Sequence, residues 1–255
     1  MIAVVTGGSS GIGAALARKL ALRSYGLVLV GRGRERLERV AGEVGGEAEV
    51  CDVGDRAAVE DLAQRIGERH PAVRLLVNNA GVPGRRGFLD LEPEQIEGVI
   101  RINYLGSVWC LRAFLPLLEA GAPSSIVNVV SVAGTVSGGP SGPYTASKHA
   151  QIAFSRAVRA EVAPRGIRVH TVNPGLTHTE GFPKREAASH PLWRHAVTSP
   201  ERVADAILHA LDRDRPEVFV PGYYRIAAAL QGLAPATVTD LAGRWRRSAR
   251  TRQAG

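Results

Sequence analysis

A chain of 255 residues with 45% hydrophobic side chains can fill one sizeable core, and a single α/β domain of this length is ordinary. The formal charge is +8, but much of the excess sits in one stretch, Arg244 to Arg252 (RWRRSARTR), which reads as a solvated tail rather than a nucleic-acid surface. No run of 18 apolar residues exists, which argues against a spanning helix, and two cysteines with scattered histidines offer no metal-ligand spacing.

The chain opens on MIAVVTGG, with no basic leader and cleavage site ahead of it, so a cytoplasmic protein is expected. Ile2 to Thr6 is a short β-branched run, Gly7-Gly8-Ser9-Ser10-Gly11-Ile12-Gly13 a glycine-rich turn, and Ala14 to Leu22 a helix. A second strand follows at Gly26 to Gly31, then a charged helix at Arg34 to Val44. Glu47 to Val53 reads as a third strand and carries Cys51; Cys110 lies in a later helix, and both read as buried thiols. Asp55 to Arg69 is helical, Val73 to Gly81 is a fourth strand, and Pro93 to Leu118 is a long helix containing Asn103. Ser125 to Ser131 (SIVNVVS) is a fifth strand, Pro143 to Val162 a helix, and Ile167 to Gly175 a sixth strand. Thr177 to Thr198 shows no period. Ser199 then caps a helix that starts at Pro200, and EVFVP is a seventh strand.

Apolar strands alternating with helices predict a parallel sheet covered on both faces. The expected fold is α/β, a single-domain Rossmann-like doubly wound parallel sheet of about seven strands. Residues 1–221 would form the dinucleotide-binding and catalytic unit, with a variable substrate lid at 176–199. Residues 222–255 would be an extension, first apolar and then basic.

Three stretches carry chemistry. The turn Gly7-x-x-x-Gly11-x-Gly13 lies between a buried strand and a helix, where glycines let the backbone approach a pyrophosphate at the helix N-terminus. The second strand ends in Gly31-Arg32, where an acidic residue would select NAD; Arg32 instead suits a 2′-phosphate, so NADP is the expected cofactor and NAD the alternative. Tyr144 and Lys148 stand one helical turn apart on one face, and Ser131 ends the strand thirteen residues earlier. A nearby ammonium would lower the pKa of a tyrosine, ordinarily near 10, and so make it useful as a general acid and base.

Together these pieces resemble the short-chain dehydrogenase/reductase family, in its NADP-preferring type. The match runs through Thr6-Gly7-x-x-x-Gly11-Ile12-Gly13, Asp52, Asn78-Asn79-Ala80-Gly81, Asn103, Ser131, Tyr144-x-x-x-Lys148 and Asn173-Pro174-Gly175, over roughly residues 2 to 212. The resemblance implies that Asn103, Ser131, Tyr144 and Lys148 act together. Tyr144 would exchange the proton, Ser131 polarise the substrate oxygen and Lys148 hold the nicotinamide ribose. Asn103, by its side chain or a helix distortion, would anchor a water. It further implies cofactor contacts from Gly7, Ser9, Ser10, Gly11, Ile12 and Gly13, and from Arg32. Asp52 and Val53 would meet the adenine, Asn79, Ala80 and Gly81 the adenine ribose, and Pro174, Gly175, Thr177 and Thr179 the nicotinamide end. Ser10 is a departure, since many NADP-using relatives carry a basic residue there.

The function so implied is an NAD(P)-dependent oxidoreductase that interconverts a ketone or aldehyde and an alcohol. A non-catalytic dinucleotide-sensing protein on the same fold is the alternative, and intact Tyr144 and Lys148 argue against it. A dehydratase or epimerase of this fold would need a longer C-terminal domain. The expected substrate is a small carbonyl or alcohol compound, apolar because Phe182, Leu192 and Trp193 would line the lid. No metal, nucleic acid or transmembrane segment is expected. A homodimer or homotetramer through the helices at Pro93 to Leu118 and Pro143 to Val162 is.

Overall fold

The computed structural model describes residues 1–84, 86–137, 142–178 and 197–240. Seven parallel strands form one sheet: β1 (Ile2–Thr6), β2 (Gly26–Gly31), β3 (Glu47–Val50), β4 (Leu75–Asn78), β5 (Ser124–Val129), β6 (Ile167–Pro174) and β7 (Glu217–Val220). Their spatial order is β3-β2-β1-β4-β5-β6-β7, so the winding direction reverses between β1 and β4. The helices are α1 (Gly11–Ala21), α2 (Arg34–Val44), α3 (Arg56–Arg69), α4 (Pro93–Ile100), α5 (Gly106–Ala120), α6 (Gly142–Val162), α7 (Pro200–Asp212) and α8 (Tyr224–Leu233). This is the Rossmann-like doubly wound sheet that the alternating pattern predicts.

Both faces of the sheet are buried, and residue parity along each strand decides which core a side chain enters. Ala3 and Val5 of β1, Leu27 and Leu29 of β2, and Leu75 and Val77 of β4 pack with Leu16 and Leu20 of α1 and Ile207 of α7. The intervening Val4, Val28, Val30 and Leu76 pack on the opposite face with Leu62 and Ile66 of α3 and with Phe114 and Leu118 of α5. Cys51 and Cys110 lie in this second core as free thiols, and burial pushes them up to about 11 and about 12.

The elements differ from the sequence reading mainly at their ends. β3 stops at Val50 rather than Val53, because the Asp52 carboxylate accepts from the Gly54 N–H (2.9 Å) and closes a local turn that competes with the ladder. β4 stops at Asn78 because the next two amides, Asn79 and Ala80, donate to the Thr6 hydroxyl instead of a strand. The single long helix expected from Pro93 to Leu118 is α4, a π-helical segment at Arg101–Leu105, and α5. Ser199 caps α7 as expected, accepting from the Arg202 N–H at 3.3 Å. No helix among the described residues is long and apolar enough to cross a membrane.

The Phe114 ring is fully buried between α5 and the sheet, so Phe114→Ala should lower stability by about 3–5 kcal/mol. Urea unfolding would show a lower midpoint at unchanged slope; a loss below about 1 kcal/mol would contradict this packing.

Candidate active site

The site lies along the C-terminal edge of the sheet, around the reversal between β1 and β4, where an open α/β sheet leaves a crevice. Its base is a clamp between the two strands. The Thr6 hydroxyl donates to Val77 O (3.0 Å) and accepts from the amides of Asn79 (2.9 Å) and Ala80 (3.0 Å). The Asn79 side-chain amide returns to Thr6 O (3.0 Å) and Gly7 O (3.2 Å). Asn79 therefore holds the glycine turn in place with the same side chain that the sequence assigns to a ribose.

At its glycines the turn has no room for side chains. A Cβ on Gly13 would lie 2.2 Å from the Gly7 carbonyl oxygen, and Gly7 has φ +65°, where L-residues are strained. Ser10 is the N-cap of α1 but makes no side-chain cap bond, and the first turn carries no acidic residue. This leaves helix N–H groups aimed at the crevice, the arrangement that suits an anion. Ser9 sits beside Gly31, with its Oγ 3.6 Å from where a Gly31 Cβ would be. Arg32 and Asp52 stand together at the ends of β2 and β3, 3.8 Å apart and both well exposed. Ile12 packs, partly buried, against one apolar core, and Val53 lies in the other.

Deeper in, the Ser131 side chain lies close enough to the Tyr144 hydroxyl to favour its ionised form, and the Lys148 Nζ stands 5.6 Å from the Tyr144 ring centroid. Ser131 Oγ also accepts from the Ala133 amide (3.1 Å) and donates to Pro174 O at 3.4 Å, so the end of β6 closes on the same point. Gly81 approaches closely: a Cβ there would be 3.1 Å from Asn103 Oδ1 and 3.8 Å from Lys148 Nζ. Gly175 meets the Tyr224 ring, Thr177 Oγ1 donates to Gly175 O (3.1 Å), and Thr177 pairs with Thr198 in a bridge. Thr179 and the lid residues Phe182, Leu192 and Trp193 lie outside the described residues, as does the basic tail.

Asn103 is fully buried in the π-helical segment, and its side chain is already committed. Oδ1 accepts from the Val82 amide (2.7 Å), while Nδ2 donates to Val82 O (3.1 Å) and Ser147 Oγ (3.1 Å). It pins the strand-four loop to α6, so of the two means expected for holding a water, the helix distortion is the one left open. Sequence reasoning passed over Thr6 as a working side chain, and it missed Val82, Ser107, Ser147 and Gln151. A polar residue recurring on an otherwise apolar helix face was the signal for the last three.

Lys148 is only 4% exposed, and burial alone pulls its pKa down to about 7. Burial pushes the Tyr144 hydroxyl above its ordinary value, and the Ser131 side chain partly offsets that. Burial therefore disfavours both charged forms, the Tyr144 phenolate and the Lys148 ammonium.

A family model described as short chain dehydrogenase matches residues 1–189. A 3-oxoacyl-[acyl-carrier-protein] reductase of Bos taurus is 38% identical over 181 residues, covering 70% of this chain and 76% of the relative. Two solved structures are similar throughout. One is an alcohol dehydrogenase from the archaeon Thermococcus sibiricus complexed with 5-hydroxy-NADP (TM-score 0.76, 29% identity, 86% of this chain and 94% of that one). The other is a short chain dehydrogenase/reductase from Burkholderia phymatum in complex with NAD (TM-score 0.80, 26% identity, 91% and 93%).

The buried lysine has a signature in stability. Between pH about 7 and its ordinary value of 10.5 the unfolded chain holds a proton that the folded chain has released, so folding stability rises with pH by up to about 1.4 kcal/mol per unit. Below about 7 both states hold the proton and the full penalty remains. Lys148→Met should therefore stabilise the protein most near pH 6 and progressively less toward pH 10, measured by urea unfolding without added dinucleotide. A difference independent of pH would contradict the burial.

Proposed function

Because the chain belongs to the short-chain dehydrogenase family, NAD(P)-dependent oxidoreductases acting on small molecules, we propose that it interconverts a ketone or aldehyde and the corresponding alcohol, with Tyr144 as general acid and base. The observation that carries this reading is the contact between the Tyr144 hydroxyl and Ser131 with Lys148 beside the ring.

The residues present fit a nicotinamide dinucleotide. The turn whose glycines admit no Cβ and the uncapped start of α1 suit the pyrophosphate, and Arg32 and Asp52, at the ends of β2 and β3, would hold the adenosine end. The chemistry that the dinucleotide supplies when bound is hydride transfer at the reacting carbon. The protein manages the proton. In reduction, Tyr144 donates its phenolic proton to the substrate oxygen as negative charge develops there; in oxidation it takes that proton back. Ser131 Oγ, held by the Ala133 amide, presents its hydroxyl to the same oxygen and stabilises the developing charge. Lys148, when protonated, would stabilise the phenolate and hold the ribose hydroxyls of the dinucleotide.

For the cofactor, Arg32 supports NADP over NAD: its guanidinium is exposed at the end of β2, and its ion pair with Asp52 is long enough to be shared with a phosphate. The substrate reading remains a small, apolar carbonyl compound; the name of the Bos taurus relative points to a 3-oxoacyl group on a carrier. The bridge between Thr177 and Thr198 anchors both ends of the proposed lid at the site. A cytoplasmic homo-oligomer formed through α4 to α6 completes the proposal, with residues 1–221 as the catalytic unit and 222–255 as an extension.

Tyr144→Phe should lower kcat by at least about a thousandfold while the dissociation constant for the dinucleotide changes little. Retained turnover in the purified variant would remove Tyr144 from the mechanism. Arg32→Asp should cut the ratio of kcat/KM for NADP to that for NAD by about tenfold or more, the equivalent of one charge-assisted contact. An unchanged ratio would refute the assignment of Arg32.

A further inference from the structure

We propose that Gln151 is the positioning residue for Lys148, its side-chain amide setting both the direction and the protonation of the ammonium. Gln151 lies one helical turn beyond Lys148 on α6 and is 1% exposed. Its Oε1 accepts from Lys148 Nζ at 2.7 Å. Its Nε2 donates to Ser107 Oγ at 2.8 Å, and Ser107 Oγ donates to the Asn103 carbonyl at 3.4 Å. A continuous buried chain thus runs from the lysine through one amide to the π-helical segment.

An ammonium has three donors. Among the described residues Lys148 Nζ has two acceptors, Gln151 Oε1 and the more distant Val129 carbonyl at 3.4 Å. The remaining N–H is left for the side on which Tyr144 and Gly81 lie. Because Ser107 holds the far end of the amide, Gln151 cannot swing away, and the lysine head cannot follow it. Tyr144, on the same helix, is the titratable group facing the ammonium. Among the described residues the π-helical segment, α5 and β5 bring Asn103, Ser107 and the Val129 carbonyl to this cluster, none of which carries a charge. Burial depresses Lys148, and Gln151 Oε1 is the nearer of the two acceptors that its ammonium meets among the described residues.

This inference rests on the reading of Tyr144 as acid and base, but the first readout of its test, the Lys148 titration, does not depend on turnover. The chain contains three lysines, Lys19, Lys148 and Lys184, so carbon-13-labelled lysine gives three side-chain signals whose titration is followed by NMR in the protein without added dinucleotide. Gln151→Leu should lower the Lys148 midpoint by about one unit, and Gln151→Glu should raise it by at least as much. The alkaline limb of kcat/KM should move in the same direction in each variant, with the Glu variant keeping the activity that the Leu variant loses. If Gln151→Leu does not fold, Gln151→Glu reads the same contact with the opposite sign. An unchanged Lys148 midpoint in the folded variants overturns the proposal. So does a midpoint that shifts while the kcat/KM limb stays in place. Retained turnover in Tyr144→Phe would instead overturn the acid–base reading and leave the Lys148 titration to decide the contact by itself.

Discussion

A buried lysine is the constraint around which this structure is arranged. Taking an ammonium out of water is costly unless acceptors replace the lost solvent. Here Lys148 is nearly inaccessible, and its compensation is one short bond to Gln151 and a longer one to a strand carbonyl. The surrounding elements are tied to one another at the same place. Asn103 binds the loop after β4 to α6, Ser107 binds α5 to Gln151, and Ser131 joins the end of β5 to the end of β6. Asn103 and Ser107 are buried and Ser131 half-buried, so these ties draw the elements together at the lysine.

The second organising feature is the reversal between β1 and β4. Thr6 and Asn79 bind the glycine turn to the neighbouring strand end through both backbone and side chain. The glycine turn and the Tyr-Ser-Lys cluster are distant in sequence, yet they share this edge. Gly81 joins the two, since it follows the Asn79 clamp and any side chain there would meet both Asn103 and Lys148.

The fold and the identity of the clustered residues were legible because they follow local rules: period-2 and period-3.6 patterns, glycines after a strand, a serine before a proline at a helix start. What was not legible depends on long-range packing. A glutamine three residues after a lysine on a helix reads as a solvated pair. Only the approach of α5 buries Gln151 and gives its amide a second partner. Likewise Asn103 is visible as a polar residue in an apolar helix, but its bonds to Val82 and the π-helical turn around it depend on where the loop after β4 passes. Boundaries such as the early end of β3 were hidden for the opposite reason, a short-range Asp52 turn that outcompetes an apolar run.

The same physics separates what the protein supplies from what a cofactor must add. Burial raises the Tyr144 hydroxyl and depresses Lys148, so the protein alone holds both groups away from the state that proton abstraction requires. The positive charge of an oxidised nicotinamide beside the ring would favour the phenolate. The most direct measurement is the ultraviolet difference titration of tyrosine ionisation in the wild type, with the Tyr144→Phe spectrum subtracted to isolate one of five tyrosines. The account predicts that Tyr144 ionises above the ordinary value near 10 in the protein alone and below it when NADP⁺ or NAD⁺ is added. Ionisation at or above 10 under both conditions would contradict it.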